Sequence, residues 1–234
     1  MMRIHLLVAA AAIAIGAAVP AGAADRNFGV NGFDRVRVDG PYKVRLNTGV
    51  APFATASGSA AALDSVAIDV QGRTLIVRTN RSTWGGYPGE ATGPVAITIG
   101  THELEAAWIN GSGSLVIDKV RGLSFDLSVQ GAGAASIGLA AVDELNVSIA
   151  GTGSVSLAGA APKLTANMRG VSYLDASALI VKDATIGAQG PATVRATVTN
   201  SAKVNAQGPA VIDLAGSPSC TVTAAGSANV SGCR

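Results

Sequence analysis

A glycine recurs seven times down the second half of the chain, at Gly111, Gly131, Gly151, Gly170, Gly190, Gly208 and Gly226, with spacings of 20, 20, 19, 20, 18 and 18 residues. A steady period near 20 marks a stacked-repeat architecture and restricts the fold more than any other property of the chain. The residues that follow each glycine identify the repeat. Four and six places on stand Leu115/Ile117, Ala135/Ile137, Val155/Leu157, Leu174/Ala176, Val194/Ala196 and Ile212/Leu214. Between them lie Val116, Ser136, Ser156, Asp175, Arg195 and Asp213. Alternation with period two predicts a strand with one buried face.

A second alternation leads into the next glycine. Four places before it stand Leu127, Val147, Ala166, Ile186, Val204 and Val222, and two places before it Val129, Ile149, Met168, Ala188, Ala206 and Ala224. The intervening residues are polar or tiny. Each repeat therefore reads as two short strands, separated by a turn on one side and by the glycine phrase on the other. One such unit cannot bury its apolar face alone, whereas stacked units share a continuous core. The predicted fold is all-β: a single-stranded parallel β-helix with coils of about 18–20 residues, each strand pairing with its equivalent one coil away. Six intervals at about 4.8 Å give roughly 29 Å of solenoid. Glycine suits the corner because a sharp bend needs positive φ and because successive coils approach closely there. A helical repeat is excluded by the abundance of Gly, Thr, Val and Ser and by the lack of a 3.6-residue apolar stripe.

Residues 1–23 read as a secretory signal peptide: Arg3 supplies positive charge, Leu6–Val19 an apolar run, and Ala21-Gly22-Ala23 a small-residue cleavage site. The apolar run is short for a membrane span, and no later stretch of the mature chain is long enough for one. The protein is thus expected to be exported, to the periplasm, the outer surface or the medium. Without Arg3, 16 of the 17 Lys and Arg residues remain beside 15 Asp and Glu. That balance, with aromatics at 4% of the chain, offers neither the basic patch nor the stacking platform that nucleic acid needs. Cys220 and Cys233 are the two cysteines, both near the C-terminus. Export permits a disulfide, and the pair is expected to staple the last coil.

Ahead of the repeats, residues 24–32 form an N-terminal segment and residues 33–109 a strand-rich but less regular region. Phe33–Val38, Tyr42–Leu46, Val95–Ile99 and Leu104–Ile109 alternate, and Val66–Val77 reads as a hairpin turning at Gly72. Terminal repeats are expected to be atypical because one side lacks a neighbour. Residues 33–109 are accordingly expected to form opening coils and a cap, continuous in one domain with the regular repeats of 110–234. Gly and Pro in the stretch 80–92 mark a loop, where Trp84 and Tyr87 are candidate ligand-binding residues for stacking on a sugar.

These features together resemble the head-GIN domain family, which is named for autotransporter adhesins and has no established function. The resemblance runs from about Phe33 to Cys233. It rests on FDRVRVDGPYKVRLNTG (33–49), VAIDVQGRTLIVRTN (66–80), LEAAWINGSGSLVI (104–117) and the phrases NGSGS (110–114) and AGTGS (150–154). Later copies, RGVSY and QGPAT, keep the spacing more than the letters. The resemblance implies a right-handed parallel β-helix, exported, in bacterial envelopes. It carries no catalytic residues over to this chain.

Little else in the sequence points to chemistry. His102 is the one histidine of the mature chain, and Ala106 stands where an HExxH motif needs its second histidine. No metal and no cofactor are expected. Asp175, Arg195 and Asp213 fall in one outward column and read as a surface ladder of opposite charges rather than a catalytic set. Lys163, Lys182 and Lys203, with Asp143, Glu144 and Asp183 among them, read as solvated corners. The expected role is a non-enzymatic binding, adhesion or structural module of the cell envelope, with a glycan or an envelope protein as partner. Two alternatives stand beside it: a polysaccharide lyase or hydrolase on a β-helix scaffold, and a self-assembling surface subunit. Oligomeric state is left open.

Overall fold

The computed structural model describes residues 24–80 and 93–234, so the expected signal peptide, 1–23, and the expected ligand-binding residues Trp84 and Tyr87 lie outside the described residues. The front of the chain forms β1 (Ala24–Phe28), β2 (Arg35–Asp39), β3 (Lys43–Thr48), β4 (Phe53–Gly58), a short helix α1 (Ala60–Asp64), β5 (Val66–Gln71), β6 (Thr74–Thr79), β7 (Ala96–Thr101) and β8 (Ala106–Gly111). The repeats form β9 (Ser114–Gly131), β10 (Ala134–Gly151), β11 (Ser154–Arg169), β12 (Tyr173–Gln189), β13 (Thr193–Gln207), β14 (Val211–Ala215), β15 (Ser219–Ala225) and β16 (Asn229–Ser231). From β9 onward every pairing is parallel and joins equivalent residues of successive coils, as the glycine period predicts.

Each coil has three sides rather than two strands and a turn. The β9–β10 ladder runs in three stretches, 114–117 on 134–137, 119–122 on 139–142, and 124–131 on 144–151. The middle stretch sends Val120, Ala140 and Val142 into the core, and its equivalents send in Ala161, Leu179, Val181 and Val198. With only one or two inward residues per coil, this side is too short for an alternation to show in sequence.

The seven repeat glycines all have φ between +81° and +116°. They also stack: a Cβ on Gly131 would come within 2.7 Å of the Gly111 carbonyl oxygen. Both reasons expected for glycine therefore hold. Inward positions from Leu115 to Leu214 are buried as predicted. The last coil departs from the pattern. Val222 is 43% exposed, whereas Leu127, Val147, Ala166, Ile186 and Val204 in the same column are at most 2% exposed. Ala224 is exposed as well, because no described strand covers the far side of β15.

The front strands join the same sheet in an order that does not follow the chain. On one side the order is β5-β6-β2-β8-β9, on another β1-β4-β7-β3-β9. Pairing is antiparallel for β1–β4, β4–β7 and the expected hairpin β5–β6, whose Gly72 has φ +62°. This mixed layer closes the N-terminal end. Helix α1 buries Ala62 and Leu63 there, Ser59 caps it by accepting from the Ala62 N–H, and Arg26 ties it to β1 through the Leu63 carbonyl and the Asp64 carboxylate.

At the opposite end Cys220 and Cys233 form the expected disulfide. The bridge ties β15 to the chain beyond β16, but it does not cover Val222 or Ala224. No helix of the described residues is long and apolar enough to cross a membrane.

Candidate ligand-binding groove

Strand alternation on the third side of the coil sets outward residues in straight columns. One runs Arg35, Ala106, Asp126, Asn146, Thr165 and Thr185. Beside it run Arg37, Trp108, Ser128, Ser148 and Asn167. Ala106 has almost no side chain, so the sheet is depressed between Arg35 and Asp126. The half-buried indole of Trp108 stands next to that depression. The result is a groove of about 660 Å³ lined by Arg35, Glu105, Ala106, Trp108, Arg121 and Asp126 among others. Leu123, 79% exposed, stands at its rim. Asp126 also lines a shallower depression of about 260 Å³ over Ser128, Asn146, Ser148 and Asn167. Around the corner, Arg121 and Glu103 are shared with a third depression of about 340 Å³ that holds His102 and Lys119.

A charge cluster assembled from distant parts of the chain fixes the end of this groove. Asp34 is buried and pairs with Arg73, which the β5–β6 turn delivers. Glu105 is shared between Arg35 at 3.4 Å and Arg73 at 3.5 Å. Main-chain bonds hold the same residues in place: the N–H groups of Asp34 and Arg35 donate to the Arg73 carbonyl, Glu105 N–H to Asp34, and Asp126 N–H to Glu105. On the groove side, Asn146 Nδ2 donates to Asp126 Oδ1 at 3.0 Å. The groove thus combines an aromatic face with guanidinium donors and carboxylate and amide groups. Those are the elements that recognise a polyhydroxylated ring, apolar on its face and polar at its edge.

The residues singled out from sequence fall elsewhere. Asp175, Arg195 and Asp213 are in register on the first side, as expected. They do not close an ion-pair ladder. Ser177 binds the Asp175 carboxylate through Oγ at 2.6 Å and N–H at 3.1 Å, Arg195 reaches the Tyr173 hydroxyl at 3.5 Å, and Asp213 accepts from Ser231. The Ser177 bonds hold the Asp175 carboxyl below the usual range, with a smaller contribution from the Arg195 charge. Lys163 does sit in an alternating column, between Glu144 and Asp183. Lys203 does not share that corner; it faces outward on the third side opposite Thr185. His102 is exposed, and among the described residues no group of three His, Cys, Asp or Glu side chains is placed to hold a metal ion.

Trp108 and Arg121 are the residues that sequence reasoning missed. The signal was present: Trp108 alternates with Ala107 and Ile109, both inward, so a bulky aromatic had to face out. The groove around it was not legible, because Arg35, Arg121 and Asp126 are brought to it only by the fold.

Comparison with known proteins gives this architecture a family. A comparison with curated proteins finds no match. Among solved structures, a "putative adhesin" from Bacteroides fragilis superimposes with a TM-score of 0.74 at 19% identity, covering 88% of this chain and 94% of that one. A "putative adhesin" from Parabacteroides merdae gives 0.69 at 16% identity, over 90% and 96% of the two chains. A "putative lipid binding protein" from Parabacteroides distasonis gives 0.69 at 18% identity, again over 90% and 96%. At these identities the likeness shows the shared fold. The family model described as "Putative auto-transporter adhesin, head GIN domain" matches residues 32–218, and the chain belongs to that family.

Proposed function

We propose that the protein is an exported, non-enzymatic binding module of the bacterial cell envelope, and that its ligand is a glycan held in the Trp108 groove. The observation that carries this reading is the half-buried Trp108 beside a depression walled by Arg35, Glu105, Arg121 and Asp126. A sugar ring stacks its apolar face on an indole while its hydroxyls meet charged and amide groups. The groove opens onto the Ser128, Asn146, Ser148 and Asn167 surface, which leaves room for further sugar units along the solenoid. Adhesin family membership and the Cys220–Cys233 disulfide support a location outside the cytoplasm.

An enzymatic reading has less support. Hydrolysis of a glycosidic bond calls for a carboxylic acid free to donate a proton beside a second carboxylate. Of the groove carboxylates, Glu105 is engaged by Arg35 and Arg73 and Asp126 by Asn146, so exposed Glu103 has no second free carboxylate to work with. A lipid reading, which the Parabacteroides distasonis protein's description raises, has less still. The interior is filled by buried Val, Leu, Ile, Ala and Phe side chains, and the groove walls are charged.

The test is binding of the mature protein to an array of neutral and acidic envelope glycans, with every hit assayed for cleavage. Saturable binding without turnover is expected, weakened at least about tenfold by Trp108→Ala, the loss of about 1.4 kcal/mol of stacking. Binding that survives Trp108→Ala but is lost on Trp84→Ala or Tyr87→Ala would move the site to the segment 80–92. Cleavage would overturn the non-enzymatic reading.

A further inference from the structure

The two ends of the solenoid are built differently. At the N-terminal end the outermost strands carry charge: β1 has Asp25 and Arg26, and β5 has Asp69 paired with Arg78 at 3.4 Å. Helix α1 and the antiparallel pair β1–β4 lie over that end of the core. Natural sheets protect their edges in these ways. The other end has none of them. From Leu214 to Cys233 the chain contains no charged residue. There, among the described residues, β15 pairs with β13 along one edge only, and its inward side chain Val222 is 43% exposed. The end is therefore a neutral strand edge whose own inward side chains, Val222 and Ala224, are exposed.

A protein with one such end has one natural occupant for it. Head-to-tail stacking needs a complementary neutral edge at the far end, and the outermost strands there, β1 and β5, carry Asp25, Arg26 and Asp69, with α1 lying over that end of the core. Two copies related by a two-fold axis bring the same edge to itself and close the assembly. A two-fold pairing also sets every residue against the partner's own segment, so any charge near the axis would face its like. The uncharged run meets that requirement. The sequence of β15 is suited to it as well. Antiparallel pairing centred on Val222 sets Thr221 opposite Thr223, Cys220 opposite Ala224 and Ser219 opposite Ala225. Those pairs are small, and the two threonines form a favourable cross-strand pair.

We propose that the protein forms an end-to-end dimer in which β15 pairs antiparallel with β15 of a second copy, about a two-fold axis at Val222. The Cys220–Cys233 bridge anchors β15 at its inward Cys220 and so presents the strand in a fixed position. The core of one solenoid then continues into the other.

Sedimentation velocity of the mature, oxidised protein over a dilution series tests this. The wild type is expected to sediment as a dimer that dissociates on dilution. Val222→Lys places two ammonium groups face to face at the axis and is expected to be monomeric, with an unchanged far-UV circular dichroism spectrum. Val222→Glu is expected to be monomeric for the same reason, and an equimolar mixture of the two variants is expected to recover the dimer. That recovery separates loss of pairing from loss of folding. A wild type that stays monomeric at every concentration overturns the proposal, and so does a Val222→Lys protein that dimerises like the wild type.

Discussion

A Cβ added to Gly151 would lie 2.6 Å from the carbonyl oxygen of Gly131, one coil away. The Gly131 position stands in the same relation to Gly111, and Gly170 to Gly151, so the glycine corner is a column in which each backbone rests on the last. Gly151 also has φ +116°. Alanine there meets two penalties at once: a backbone conformation that side chains avoid, worth about 1–3 kcal/mol, and a contact with backbone that has no freedom to yield. Gly122, with φ +138° and open space around its Cβ position, meets only the first. Gly151→Ala is expected to lower stability by at least about 2 kcal/mol and by clearly more than Gly122→Ala in urea titrations of the two. Equal losses would show that the close approach of the coils contributes nothing.

Ser172 occupies the place held by Gly113, Gly133 and Gly153 in earlier coils and by Ala192 and Ala210 in later ones. It is buried, and its hydroxyl has no hydrogen-bond partner. An unpartnered buried hydroxyl costs about 1–3 kcal/mol. Ser172→Ala removes it and reproduces the residue of the next coil, so the variant is expected to gain about 1 kcal/mol. A urea midpoint that falls would refute this and point to a water bound at that hydroxyl.

Two carboxylates make stability fall in acid. Asp183 accepts from Ser201 Oγ at 2.5 Å and from Asn200 Nδ2 at 2.7 Å, and these bonds hold its carboxyl below the ordinary 3.8. Asp175 is lowered in the same direction, first by the Ser177 hydroxyl and N–H and to a lesser extent by Arg195. A group whose folded pKa lies below its unfolded value binds its proton more readily when unfolded. Its stabilising effect is therefore complete above the unfolded pKa and is lost as pH falls through the folded one, below about pH 4. Stability measured from neutral to strongly acidic pH is expected to be flat for these groups at first and then to drop. Asp183→Asn should shrink the drop and leave the flat part shallower by little. An unaltered acid limb in both Asp183→Asn and Asp175→Asn would refute the assignment.

Much of this was legible from Gly111 to Gly226, because a repeat states the same physical requirement seven times. The inward columns, the parallel pairing and the corner glycines all follow from spacing. The middle side did not show, since Val120 or Ala161 alone makes no period. Nor did β4, whose FATASG sequence offers small residues and no apolar alternation, or its placement between β1 and β7. Strand order in the front layer depends on which edge is free when each strand arrives, and periodicity carries no record of that. The groove shares this limit. The outward direction of Trp108 was readable, but Arg73 and Asp34, which pair beside Glu105 at the end of the groove, are 39 residues apart in the chain and meet only because β6 pairs with β2.

The disulfide acts on the last coil alone. In a solenoid each coil touches only its neighbours, so a bond within one coil stabilises that coil and leaves distant ones unaffected. Cys220 and Cys233 are 13 residues apart, and closing a loop of that size removes about 3 kcal/mol of chain entropy from the open state. The coil it closes has little else, with Val222 and Ala224 exposed and β16 only three residues long. Cys220→Ser with Cys233→Ser is therefore expected to open β15 and β16 while the rest stays folded. Hydrogen exchange should show protection lost over residues 219–231 and kept in β9–β12, with the main unfolding transition little moved. If protection falls along the whole solenoid instead, the final coil is a cooperative part of the core and the bridge stabilises the entire fold.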